Sequence, residues 1–287
     1  MKKKRLLLCT LLLALMLSTT ARADVGPKPS VNVTFTGLEA GPCYATLLSE
    51  VKSTGPFRMW EPEDGVRDGW VPEDESNLDV WQAFVDYKDP DGFYFLQFYR
   101  RVDVSKHFAW TYYPPSTYKI LLYYPESGEF VSGGILDRYA FDSYYTVDAS
   151  EGTIQPERSY EYGMEMVSLL ARIVLTIGVE LGFALLCGLR RRRQVKVVVL
   201  VNIITQVALN VGLNIINYKA GSMAFVIFYV LLEILVFIVE AVAFTILLRR
   251  RVPEGEKVGH PVVYAFWANV FSFAVGYALA RLIPGIF

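Results

Sequence analysis

Apolar residues follow two different patterns along this chain, and the change falls near residue 163. Before it, they come in short runs separated by polar turn residues. "VNVTFTGL" (31–38) alternates with the period of two that marks a half-buried strand. "VWQAFVDYK" and "FYFLQFYRRV" flank "DPDG" (89–92), and "TYKILLYY" and "EFVSGG" flank "PESG" (125–128). Both read as strand–turn–strand units. "YAFDSYYTV" (139–147) is a further strand candidate. About seven short strands at this spacing predict an antiparallel, sandwich-like all-β domain over residues 24–163.

After Gly163 the runs lengthen into four apolar segments, at about 166–188, 197–216, 223–248 and 262–283. At 1.5 Å per residue each is long enough to cross the ~30 Å of a bilayer's hydrocarbon. The fold class is therefore mixed: an extracytoplasmic β-rich domain followed by an all-α four-helix transmembrane domain over residues 164–287. Arginine-rich links, "RRRRQVK" (190–196) and "RRRVPEGEK" (249–257), alternate with "NYKAGS" (217–222), which carries one Lys. The positive-inside rule places the arginine-rich links in the cytoplasm. Residues 24–163 and the C-terminus then lie outside, in a multi-pass protein of the cell membrane.

One stretch breaks the apolar pattern. "VNIITQVALNVGLN" (201–214) spaces Asn202, Gln206, Asn210 and Asn214 four residues apart, a single stripe down a helix. Hydrocarbon penalises unpaired polar groups, so the stripe should face other helices. Glu180, Glu240, Asn269 and Ser272 supply partners from the other spans. Counted from the cytoplasmic end, Glu180, Gln206, Glu240 and Asn269 lie about 10–13 Å deep. With Asn202 and Ser272 they form an intramembrane polar layer. Arg172, Asn210 and Glu233 lie about 20–24 Å deep and form an outer layer, in which Arg172 and Glu233 are placed to pair.

An internal repeat runs through the same residues. "VELGFALLCGLRRRR" (179–193) aligns with "VEAVAFTILLRRR" (239–251), and "VNIIT" (201–205) with "ANVFS" (268–272). This predicts two hairpins of like orientation, related by an axis along the membrane normal. The carboxamides read as interhelical glue. For Glu180 and Glu240, glue and an ion or proton site both stand, because no cation shares their depth.

Charge sharpens the division. Residues 24–163 hold 23 acidic against 11 basic side chains, and residues 164–287 hold 6 against 12. Neither half has the basic, aromatic-laced face of a nucleic-acid-binding protein. The N-terminus has the parts of a secretory signal over residues 1–23: the basic "MKKKR", the apolar "LLLCTLLLALML" and Ala21-Arg22-Ala23 before the cut. Cys9 leaves with it and Cys187 lies in a span. Cys43 alone remains outside, so no disulfide staples the domain.

Catalytic chemistry has little material. There is no G-x-S-x-G, the spans contain no His, and His107 is the one histidine outside. The acids of "WEPEDG" (60–65), "WVPEDE" (70–75) and "DPDG" are surface turns rather than a calcium loop, since the later Glu of such a loop is missing. No catalytic residue, metal ligand or cofactor is expected. The partners are the lipid bilayer and, because four short spans scarcely enclose a path, a second copy or a partner membrane protein.

With its signal, external stretches such as "YKILLYYPESGEFV" and "RYAFDSYYTVD", and spans carrying "VNIITQ" and "VE", the chain resembles a group of multi-pass membrane proteins of Gram-positive bacteria. The resemblance implies the topology and no activity. The expected function is an external ligand-binding, sensing or assembly domain held by a bundle. The alternative is a small ion- or proton-linked transport protein using the glutamate–asparagine layer.

Overall fold

The computed structural model describes residues 26–62, 78–150, 152–249 and 261–282, with side chains to 248 and 275 in the last two helices. The expected signal peptide, most of the acidic loop and the second arginine-rich link lie outside the described residues. A β-rich region comes first and helices follow.

Two sheets share one core. The first runs β11 (Gln155–Arg158), β10 (Asp142–Asp148), β1 (Ser30–Thr36), β7 (His107–Trp110); the second runs β5 (Tyr94–Phe95), β2 (Tyr44–Ser49), β8 (Thr117–Tyr124), β9 (Glu129–Asp137). A short β6 (Arg100–Arg101) also pairs with β2, and β3 (Ser53–Thr54) with β4 (Phe57–Arg58) forms a separate ribbon. Val31, Val33 and Phe35 point inward from β1, as their alternation requires, and meet Ala45, Leu47, Ile120 and Leu122 of the second sheet. β8 and β9 form the expected hairpin across "PESG".

Two expectations need correction. "VWQAFVDYK" is not a strand: α1 (Leu78–Asp86) occupies most of it. Its buried residues are Val80, Trp81 and Phe84, the i, i+1, i+4 spacing of a helix face rather than the alternation of a strand. That face covers the outer side of the second sheet, packing on Tyr44, Leu48, Tyr99 and Leu121. The second sheet is thus buried on both sides, which is why β2 and most of β8 are buried without alternating. The sheets are also not wholly antiparallel. β1 pairs in parallel with β10, from Ser30 opposite Asp142 to Thr36 opposite Asp148.

β11 leads into α2 (Tyr162–Leu186), followed by α3 (Arg192–Arg249) and α4 (Pro261–Leu282). The 58 residues of α3 are broken once, at Gly221 (φ 79°, ψ 178°). Val197, Val198 and Val201 cluster with Ala241, Phe244 and Leu248. Leu209 and Leu213 cluster with Val236 and Leu232. The two arms therefore fold back antiparallel, so that α2, the arms of α3 and α4 make a bundle of four rods. The expected loop "NYKAGS" shrinks to this one glycine. α2 and α3 are long and apolar enough to cross a membrane, with mean hydropathy of 2.1 and 2.7 in their most apolar stretches.

The bundle tip touches the β-rich region. Phe141 N donates to Tyr218 O at 2.8 Å, and Tyr160 packs edge-on against Tyr218 at 5.3 Å between centroids.

Candidate functional site

Polarity in the bundle is inverted relative to a soluble protein. Val174, Leu186, Leu200, Ile204 and Val226 are exposed on its outside, whereas Glu180, Asn202, Gln206 and Glu240 are 0–1% exposed at its centre. The stripe faces inward because residues four apart on the first arm of α3 share one face, and α2, the second arm and α4 close over it.

Glu240 is held by two donors. Thr205 Oγ1 donates to its Oε1 at 2.7 Å, and Asn269 Nδ2 to its Oε2 at 2.7 Å. Glu180 Oε1 accepts from Ser272 Oγ at 3.2 Å, and its backbone carbonyl accepts from Tyr264 OH at 3.2 Å. Asn202 lies beside the Glu180 carboxylate without closing a hydrogen bond to it. Glu180 and Glu240 are electrostatic neighbours.

The arrangement has an approximate twofold relation. Each glutamate takes a hydroxyl from the opposite hairpin, Glu180 from Ser272 and Glu240 from Thr205. Each faces the asparagine of its own hairpin, Asn202 or Asn269. Residues 197, 198, 201, 202 and 205 are all buried, and so are their counterparts 264, 265, 268, 269 and 272.

Several buried atoms in this seam have no partner: Glu180 Oε2, both amide atoms of Asn202, Asn269 Oδ1 and Gln206 Nε2. Three of these are acceptor oxygens. A native interior satisfies nearly all such groups, so a cluster of orphans sets this seam apart from the rest of the bundle. Among the described residues no ion pair reaches either glutamate.

The outer layer differs from expectation. Arg172 and Glu233 do not form an ion pair. Arg172 Nη2 instead donates to Asn214 Oδ1 at 2.7 Å, the last carboxamide of the stripe, which reaches this guanidinium first. Asn210 Nδ2 turns back on its own helix, donating to Gln206 O at 2.9 Å. Glu233 Oε2 and Arg172 Nε are buried without partners. Sequence reasoning did not assign Thr205 or Tyr264 to the seam. Thr205 was signalled by its alignment with Ser272 in the repeat; Tyr264 carried no signal.

Outside the bundle, the "DPDG" turn holds a cation of the chain's own. Lys119 Nζ lies 2.6 Å from Asp89 and 2.9 Å from Asp91, with the Asp89 side chain fully buried. Burial opposes the charge on Lys119, but the two carboxylates outweigh it and raise its pKa. The Cys43 thiol is buried, and burial pushes its pKa up to about 12. His107 is exposed on β7. Among the described residues, no group of three or more His, Cys, Asp and Glu is placed to hold a metal.

No protein-family profile, curated protein or solved structure matches the chain.

Proposed function

We propose that the chain is a multi-pass protein of the cell membrane, exported behind a cleaved signal peptide and crossing four times with α2, both arms of α3 and α4. Residues 24–163 and the C-terminus face outward, and the arginine-rich links face the cytoplasm, as in the Gram-positive group it resembles. Support comes from the two long apolar helices, from the inverted polarity of the bundle and from the arginine asymmetry.

Within that membrane the protein works as a small ion- or proton-linked device centred on Glu180 and Glu240. The carrying observation is the pair itself: two fully buried carboxyl groups, held by neutral donors, beside orphaned acceptor oxygens and, among the described residues, without an ion-pair partner. Ionisable groups at this depth are costly and mark functional sites, which favours an ion or proton site over interhelical glue. The test is ion flux in vesicles holding the full-length protein, with H⁺, Na⁺ and K⁺ gradients applied in turn. One ion should move faster than in empty vesicles, and Glu180→Gln and Glu240→Gln should each abolish the difference. Wild-type vesicles no leakier than empty ones would refute the reading.

A second reading, an external binding or assembly module, is favoured by a cleft of about 400 Å³ beside α1, lined by Trp60, Tyr87, Phe93 and Tyr94 among others. Aromatic walls of this kind stack on sugar rings. Quenching of tryptophan fluorescence by soluble oligosaccharides, weakened by Tyr94→Ala, would support it, and an unchanged signal would count against it.

A further inference from the structure

Above the glutamate pair lies a second cavity, of about 400 Å³, between α2, both arms of α3 and α4. Its walls are largely apolar, with Leu209, Leu213, Phe225 and Phe273 contributing. Among the polar side chains that interrupt them are Arg172, Gln206 and Glu233. Each carries a buried atom with no hydrogen-bond partner, namely Arg172 Nε, Gln206 Nε2 and Glu233 Oε2. Gln206 is 1% exposed.

Opposite charges sharing a buried cavity ordinarily pair, because an unpaired buried charge is strongly destabilising. Here they stay apart. Arg172 is held back by Asn214 at 2.7 Å and lies over the Phe225 ring at 5.7 Å, while Glu233 has Tyr229 beside it. Glu165 also acts electrostatically on Arg172, and its carboxylate accepts from Tyr160 OH. Arg172 and Phe225 also line an outer cavity of about 520 Å³, where α2 meets the β-rich region. The two spaces therefore share the wall formed by Arg172 and Phe225.

We propose that this cavity binds a zwitterion with an apolar body, a molecule carrying an anionic group and an ammonium on one frame. The Arg172 guanidinium receives the anion, Glu233 receives the ammonium, and the leucine and phenylalanine walls receive the body. The geometry matches the usual build of a small-molecule site, mostly apolar with a few convergent polar groups. A free hydrophobic amino acid and the headgroup of phosphatidylethanolamine share this chemistry. The site stands whether or not Glu180 and Glu240 handle ions.

The test is thermal unfolding of the full-length protein in detergent, with leucine, phenylalanine and phosphatidylethanolamine as probes. Isocaproate and isoamylamine serve as analogues lacking one charge. At least one zwitterion should raise the melting temperature in a saturable way, and both analogues should bind about tenfold more weakly or worse. Arg172→Gln and Glu233→Gln should each abolish the discrimination against one analogue, isoamylamine and isocaproate respectively. Leu213→Phe, which narrows the cavity and leaves the charges in place, should weaken the zwitterion too, and it keeps the test open if a charge variant does not fold. Leucine but not lipid would identify a soluble ligand; lipid but not amino acid would identify a bilayer component. The proposal falls if no zwitterion stabilises the protein, or if the analogues bind as well as the zwitterion.

Discussion

Replacing Gly221 with alanine tests the hinge on which the bundle depends. Its φ of 79° with ψ of 178° lies in a region that is essentially glycine-only, so any Cβ strains the backbone by ~1–3 kcal/mol. A Cβ there would also stand 2.5 Å from Cε1 of Phe141, well inside contact distance. The bond from Phe141 N to Tyr218 O fixes the backbone of Phe141, so relief of the clash falls on rotation of the ring. Overpacking of this kind adds ~1–3 kcal/mol. Gly221→Ala should therefore cost about 2–6 kcal/mol in all, with the two causes separable. Phe141→Ala removes the clash and leaves the backbone strain, so the double variant should regain part of the loss. The assay is a double-mutant cycle by unfolding of the full-length protein, with trypsin susceptibility at Lys219 as a local readout. A Gly221→Ala protein that melts with the wild type would refute the hinge geometry. A double variant no more stable than Gly221→Ala would refute the contact between bundle and β-rich region.

Two further predictions concern the β-rich region. Lys119→Met should destabilise by ~3–5 kcal/mol, because it leaves the buried Asp89 carboxylate uncompensated, and Asp89→Asn in the same chain should recover much of the loss in chemical denaturation. Cys43 should resist maleimide at pH 8 in a Cys187→Ser protein until the fold is opened, as mass spectrometry will show. Since folding raises this thiol from its ordinary 9.0 to about 12, the folded state holds the proton longer than the unfolded one. The contribution of Cys43 to stability is then complete below pH 9 and declines as pH rises from 9 towards 12. Stability rising with pH through that window in wild type, relative to Cys43→Ala, would contradict it.

How much of this was legible beforehand depended on the range of the interaction. Val31, Val33 and Phe35 announced their strand because alternation is local, and the β8–β9 hairpin followed from its four-residue turn. The pairing of β1 with β10 joins residues more than a hundred positions apart and leaves no local trace. Trp81 and Phe84 misled because aromatic residues favour strands, although their spacing fits a helix face. Lys119 stood in an apolar run, "TYKILLYY", as a visible anomaly, but the aspartates it meets could not be named without the fold. In the bundle, the carboxamide stripe, the paired glutamates and the repeat were all readable as spacing. Which oxygen meets which donor was not, because one extra reach by Asn214 diverts Arg172 from Glu233. The orphaned atoms of the seam, on which the functional reading turns, belong to geometry alone.

The most direct test of that reading is thermal unfolding of the full-length protein across pH and across a panel of Na⁺, K⁺, Li⁺ and Ca²⁺, comparing wild type with Glu180→Gln, Glu240→Gln and the double variant. If the two carboxyl groups form one site, pH or a single cation will stabilise the wild type. Either substitution alone will remove that response, and the double variant will behave as the singles do. Gln variants as stable as the wild type, with no response to pH or to any ion in any of the proteins, would contradict the account and leave the seam as structural packing.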